Sequence, residues 1–469
     1  MLKNLGRKTR RTAAFILAAA FIFSFAPALP TGAEVALMAW DLTLPSLKES
    51  FADYFYIGNI MEPNQVGNDT TTEMYAYHYN FVTAENAMKP DKFAHNKGDY
   101  VFPRGTDFMI DWALENDIKV HGHALVWHSQ SARWLTERDG EPLTRAEAQE
   151  NMEEYISAVA GHFAGKLYSW DVVNEAFTTS VSGGPNDDGW WKSRLRKTLS
   201  DTDGRYSWYA AYANGADEEA GESGADFIYD AFVFTRIADP VAILYYNDFN
   251  ETEPGKREAI AQMTEELNAK WESDPRNTEP GRLLIEGLGM QAHYWTQQNN
   301  LISSVEATIH RFAQTGAIIS ITELDIPIGN WNNYRNYTHT KEDYEIQADL
   351  YKGLFEVFME NADVIERVTF WGKLDPQSWR RQGNPLLFDL NLNAKLAFHS
   401  IISLVVTDAD DDDENEEDGV LDNMAEEADP GGTEPDYRFS LPSVSVIMLL
   451  AGAVLIAGGL IVIIIKRKK

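Results

Sequence analysis

The 469-residue sequence contains no cysteine. That excludes disulfides, thiol nucleophiles and cysteine-ligated zinc or iron–sulfur centres. Positive charge is scarce as well: 40 Lys and Arg stand against 72 Asp and Glu, a formal net charge of −32. A surface this acidic repels nucleic acid, so no such partner is expected. Residues 44–406 show no tandem repeat of short fixed period and no Pro/Gly-rich break long enough to be a linker. What is present is apolar and aromatic. The chain is 44% hydrophobic, with 13 Trp, 20 Tyr and 23 Phe, enough for one large core.

The two ends differ from the middle. "MLKNLGRKTRR" followed by "TAAFILAAAFIFSFAPALP" has the basic start, short apolar run and small residues of a secretory signal, approximately residues 1–36. Near the other end, residues 444–465 form 22 positions without a charge. About 20 apolar residues span a bilayer as a helix. The final "KRKK" (466–469) would stay on the cytoplasmic side. Between them, residues 407–440 hold 15 acids and no base until Arg438, which reads as an extended, disordered tether. The expectation is one exported domain, 44–406, held outside a membrane. Attachment to the cell wall is the alternative, although "LPSVS" at Leu441 lacks the Thr and Gly of a sorting signal.

Within the middle, short apolar runs alternate with helix-like stretches. The predicted strands are 55–58, 79–83, 119–124, 167–173, 242–247, 284–290, 318–322 and 367–371. Amphipathic segments such as "AEAQENMEEYISAVAGHFAG" separate them. Eight strands alternating with helices predict an α/β fold, a (β/α)8 TIM barrel. An open doubly wound sheet is the alternative from pattern alone. Polar residues crowd the strand ends: "TAENAMKP", "HGHALVWH", "NEAF", "NDFN", "MQAHYW", "TELDIPIG" and "FWGKLDPQSWR". In a barrel those ends share one rim, and one rim site explains them together.

Two carboxylates stand out, Glu175 after the fourth strand and Glu323 after the seventh. Paired carboxyl groups across a cleft are the equipment for cleaving glycosidic bonds. At about 5–5.5 Å apart, one is a nucleophile and the other an acid then a base, with retention. Trp127, Trp371 and Trp379 can stack on the C–H faces of sugars. Glu85, Asn86, Lys89, His123 and Gln291 can bond their hydroxyls. Trp170 reads as core, and Asp171 as a structural hydrogen-bonded group. No cofactor or metal is expected.

Here the sequence resembles a known family. "VTAENAMKP", "HGHALVWH", "WDVVNEAF", "LYYNDFN", "GLGMQAHYW" and "ITELDI" occur in order. They are similar to the family 10 glycoside hydrolases, whose usual activity is endo-1,4-β-xylanase. The resemblance runs from "LPSLKESFADYFYIGN" to "LLFDLNLNAKLAFHSI", about residues 44–406. It implies Glu175 as acid/base and Glu323 as nucleophile. Asn174 would bind the sugar 2-hydroxyl, and His293 would hydrogen-bond Glu323 and help keep it ionised. Glu85, Asn86, Lys89, His123, Trp127, Gln291, Trp371 and Trp379 would line the non-reducing-side subsites. His128, Asp248 and Asp325 would hold these groups in place. Xylan and xylo-oligosaccharides are the implied partners of a monomer.

Burial of Glu175 predicts a raised pKa, since an acid must hold its proton while Glu323 stays charged. The sequence departs from the family in places. "SQSARWLTERDG" lacks a common Pro, and Leu396 stands where Pro is frequent. The segment "KSRLRKTLSDTDGRYSWYAAYANGADEEAGESG" is longer than the family leads one to expect. It follows the fourth strand with Trp190, Trp191 and Trp208 in or beside it, so it is expected to shape the leaving-group side.

Overall fold

The eight apolar runs form eight strands: β1 (Tyr56–Met61), β2 (Phe81–Ala84), β3 (Lys119–Trp127), β4 (Ser169–Asn174), β5 (Ile243–Asp248), β6 (Gly287–Met290), β7 (Ile318–Leu324) and β8 (Ile365–Phe370). In a computed structural model covering residues 39–184, 189–198 and 207–406, all of them pair in parallel. Each lies beside its neighbour in the chain, and β8 closes onto β1. The result is the expected (β/α)8 barrel. An open doubly wound sheet would leave two edges, and here there are none. The signal (1–36), the tether (407–440), the apolar run (444–465) and the basic tail (466–469) lie outside the described residues. Among the described residues no helix is long and apolar enough to cross a membrane.

The main helix after each strand is α1 (Asp69–His78), α2 (Arg104–Glu115), α3 (Arg145–Phe163), α4 (Asp226–Ala238), α5 (Pro254–Glu272), α6 (Leu301–Ala313), α7 (Lys341–Glu360) and α8 (Leu396–Ile402). Sequence explains where they start. Thr144 precedes α3 and accepts from the Glu147 amide, while the Glu147 carboxylate takes the Thr144 amide, a reciprocal cap. Thr340 and Asp343 do the same for α7. On α3 the buried residues Ala148, Met152, Tyr155, Ile156, Val159 and Phe163 recur every three or four positions, a stripe facing the barrel. Two short hairpins, Ala94–Asn96 with Asp99–Tyr100 and Glu137–Arg138 with Glu141–Pro142, ride in the loops after β2 and β3.

The strand boundaries shift for physical reasons. The run at 284–290 pairs only from Gly287, because the Asn268 side chain takes the Leu284 and Ile285 amides and donates to the Ile285 carbonyl. Strand β7 runs two residues past the expected end, so Glu323 lies within the strand, at the register break between Ile321 and Leu324. Trp170 is wholly buried, as expected, and its ring lies over β3. A Cβ at Gly122 would come within 2.2 Å of that ring, so only glycine fits there. Truncating Trp170 to Ala would remove about 3–5 kcal/mol of stability, measurable by denaturant unfolding.

Candidate active site

The site grows from the ends of β4, β5 and β7. Asn247 on β5 is its hub. The Thr322 hydroxyl donates to Asn247 Oδ1 at 2.7 Å, which leaves Asn247 Nδ2 as the donor on the other side. That Nδ2 reaches Asn174 Oδ1 at 3.0 Å and Glu323 Oε1 at 2.9 Å. The ends of three strands are thereby joined through one amide. Asn174 Nδ2 then donates to Glu175 Oε1 at 3.3 Å, and Gln291 Nε2 donates to the same oxygen at 2.9 Å.

Glu323 takes its second bond from His293, whose Nε2 lies 3.1 Å from Oε2. The other ring nitrogen of His293 lies 3.0 Å from Asp325 Oδ1. Burial alone would strip His293 of its proton. The Asp325 charge, with hydrogen bonds to Asp325 and Glu323, overrides burial and raises its pKa to about 9. Behind it, Arg380 Nη1 and Trp379 Nε1 donate to Asp325 at 3.1 and 2.9 Å. Burial raises the Asp325 pKa, but His293 and Arg380 outweigh it and hold the carboxylate charged. Glu323 thus faces a cation whose counter-charge is anchored behind it.

Glu175 is built differently. Its backbone is left-handed, with φ 55°, a strained conformation for a non-glycine residue. The strain is held from both sides. The Ala176 amide donates to the Tyr246 hydroxyl at 3.1 Å, and that hydroxyl donates to Asp248 at 2.6 Å. Asp248 is itself paired with the buried Lys256 at 2.7 Å. From the other side Arg196 Nε donates to the Glu175 carbonyl at 3.0 Å. His128 Nδ1 lies 3.7 Å from Glu175 Oε2, so His128 faces the carboxylate directly.

The expected rise in the Glu175 pKa is not found. Burial does push it up, but the His128 ring, the Gln291 amide, the Trp127 indole N–H and the Arg196 guanidinium together bring it below the usual glutamate value. The apolar run around the residue suggested desolvation alone. The charged and polar groups come from β3, β6 and the segment after β4, and sequence distance concealed them.

A cleft of about 700 Å³ runs over these groups. It is lined by Glu85, Lys89, His123, Trp127, Glu175, Gln291, His293, Glu323, Trp371 and Trp379 among the predicted residues. Asn86 and Asn174 do not line it. Asn86 Oδ1 instead accepts from Lys89 Nζ at 3.0 Å. Lys89 is buried, which pulls its pKa down despite the Glu323, Glu85 and Glu175 charges around it. Burial and the nearby Glu62 raise the Glu85 pKa. Asp171, as expected, is bonded inside the barrel, 2.8 Å from His123 Nδ1 and 3.0 Å from His121 Nε2.

Several cleft residues escaped the sequence reading: Thr179, Phe249, Asn250, Trp295, Trp331 and Arg380. So did Asn247 and Arg196. Asn247 sits beside Asp248 at a strand end, and the alternation of a strand does not say which of two adjacent polar residues turns towards Glu323. Conversely, Trp190, Trp191 and Trp208 are buried at 7%, 1% and 4% exposure. They pack the segment after β4 against the barrel and do not present a face to the cleft.

Two buried glutamates at the ends of β4 and β7, facing one Trp-lined cleft, define a barrel glycoside hydrolase. Within that class the chain belongs to glycosyl hydrolase family 10, whose sequence model matches residues 46–404. It is 35% identical over 383 residues to endo-1,4-beta-xylanase A of Thermotoga maritima, covering 80% of this chain and 32% of that protein. The chain therefore spans about a third of that relative's length. It is 33% identical over 378 residues to an endo-1,4-beta-xylanase of Geobacillus stearothermophilus, covering 77% of this chain and 99% of the relative. Among solved structures, it is similar to a GH10 xylanase from termite gut that contains a bacterial Ig-like domain. That match has a TM-score of 0.67 and 35% identity, over 78% of this chain and 79% of the other.

Proposed function

We propose that the chain is a retaining endo-1,4-β-xylanase. The observation that carries this reading is the pairing of Glu323, held beside protonated His293, with Glu175 across one cleft. In the first step Glu175 gives its proton to the glycosidic oxygen while Glu323 attacks the anomeric carbon. The bond to the leaving sugar breaks and a glycosyl ester forms. In the second step the Glu175 carboxylate takes a proton from water, whose oxygen attacks the same carbon. The ester bond breaks and both glutamates are restored.

His293 and Asn247 aim the two oxygens of Glu323. Asn174, which lies behind the cleft wall, helps aim Glu175 through its Nδ2. Trp127, Trp371 and Trp379 offer stacking faces, while Glu85, Lys89, His123 and Gln291 offer hydrogen bonds. Sugar entering the cleft displaces water from around Glu175, which raises its proton affinity for the first step. Loss of the Glu323 charge in the ester then lowers it for the second. The substrate class is supported by the endo-1,4-beta-xylanase names of the Thermotoga and Geobacillus relatives. A reducing-sugar assay comparing xylan with cellulose tests it, and NMR of the first product tests the stereochemistry. An α-configured first product would sink the retaining mechanism.

The same proposal places the enzyme outside the cell as a monomer. Residues 1–36 act as an export signal, 444–465 as a membrane anchor with 466–469 inside, and 407–440 as the acidic tether between anchor and barrel. Like charge on tether and envelope would hold the barrel outward. Cell fractionation decides this. Activity released by detergent supports the anchor. Release only by wall-digesting enzymes, with the tail missing by mass spectrometry, refutes it in favour of wall attachment.

A further inference from the structure

We infer a second, non-catalytic glycan-binding site in a pocket between the loops after β2 and β3 and the start of α3. The pocket measures about 200 Å³. Its walls include Lys97, Trp134, Glu137, Arg138, Glu147 and Asn151, none of which lines the catalytic cleft. Lys97 follows β2, and Trp134, Glu137 and Arg138 follow β3. The pocket therefore lies at the same end of the barrel as Glu175 and Glu323.

Three features define its ligand. Trp134 donates through Nε1 to the Ala94 carbonyl at 3.0 Å, which fixes the ring, and the ring is only half-buried. It offers an immobile apolar wall of the kind sugar C–H faces stack on. Asn151, 3% exposed, spends Nδ2 on the Trp134 carbonyl at 3.0 Å. Its Oδ1 is buried and accepts no hydrogen bond. A buried amide oxygen without a donor is uncommon, and this one belongs to a residue in the pocket wall.

The third feature is charge. Arg138 pairs with Glu147 at 2.7 Å, Lys97 with Glu150 at 3.5 Å and Glu137 with Arg133 at 2.5 Å. Every base in the wall is matched by an acid, so neither an anion nor a cation finds net attraction. A neutral ligand with hydroxyl donors, acceptor oxygens and an apolar face satisfies all three features. A pyranose ring of a neutral glycan is such a ligand. The volume falls below the roughly 300–1,000 Å³ of drug-sized sites and suits about one ring. Given the polysaccharide substrate proposed above, on which this inference rests, the pocket holds insoluble xylan near the cleft. It raises the local concentration of cleavable bonds without touching the chemistry.

The test uses the full chain. A Lys97→Ala/Arg138→Ala variant alters two exposed side chains, and Asn151→Leu removes the buried acceptor. Retention on insoluble xylan should fall about tenfold, equivalent to about 1.4 kcal/mol. Initial rates on insoluble xylan should fall with it, while kcat/KM on an aryl β-xylobioside stays at the wild-type value. Retention unchanged in both folded variants would overturn the site. If Asn151→Leu does not fold, the Lys97/Arg138 pair decides alone. A wild type that hydrolyses soluble xylan but is not retained by the insoluble polymer overturns the site and leaves the proposed activity standing. A wild type inert towards all xylan overturns the activity, and retention on insoluble cellulose or mannan then supports or removes the site.

Discussion

Glu323 and Glu175 end two strands of one barrel, yet their surroundings differ in kind. Glu323 takes both of its bonds from buried groups, Asn247 and His293, and His293 is locked in turn by Asp325, Arg380 and Trp379. Every link is a hydrogen bond of 2.9–3.1 Å. Glu175 sits on a left-handed residue just past its strand, and the groups that set its charge come from elsewhere: His128, Gln291, Trp127 and Arg196. One carboxylate is fixed in direction by both of its bonds. The other is held by contacts that substrate can rearrange. That difference suits a nucleophile and an acid/base, the roles proposed for them.

Replacing each residue in turn breaks the comparison. The largest effect is expected from Glu323→Ala, which should lower hydrolysis of all substrates by on the order of 10⁵-fold or more. Circular dichroism should show the fold intact. Glu175→Ala should cost about 10²–10⁴-fold on xylan, the span of general acid–base catalysis. Aryl glycosides with good leaving groups should suffer far less in the first step, because they need little protonation. Azide should rescue this variant and leave a β-configured glycosyl azide. An absence of rescue would remove Glu175 from the acid/base role.

Smaller effects sharpen the contrast. His293 binds its proton more tightly in the fold, with a pKa of about 9 against an ordinary 6.5. Its contribution to stability is therefore whole below about pH 6.5 and is lost as pH rises through about 9. Thermal unfolding of the wild type should fall across that window more steeply than that of His293→Asn. Parallel curves would mean that His293 carries no extra proton. Arg196→Met should act on Glu175 alone. Removing the guanidinium takes away an influence that lowers the Glu175 pKa, so the basic limb of kcat/KM should move to higher pH. In the wild type the basic limb of kcat should lie above that of kcat/KM, because bound sugar desolvates the acid. The smallest effect belongs to the ends of the chain. A truncation after Val406 should keep wild-type kcat/KM on soluble xylan, since every cleft residue named precedes it.

The barrel was legible because its strands are buried on both faces. Runs such as "SWDVVN" and "IISITEL" read as apolar however they are viewed, and eight of them alternate with helices. The two glutamates were legible because a carboxylate at the end of such a run needs a reason. Their helpers were harder to see. Asn247 joins three strand ends, and nothing in "LYYNDFN" says that it, and not Asp248, bonds Glu323. Arg196 lies 21 residues beyond Glu175, in a segment expected to shape the leaving-group side, whose tryptophans prove to be buried packing.

By itself, then, the sequence determined the number and order of strands and which carboxylates stand at their ends, because burial and alternation are local properties of the chain. Only the tertiary structure decided the partners of those carboxylates and, for Glu175, its proton affinity. Proton affinity depends on what lies within a few ångströms in space, and closing the barrel brings His128, Asn247, Gln291 and His293 around Glu175 and Glu323 from three different strands or the loops just past them.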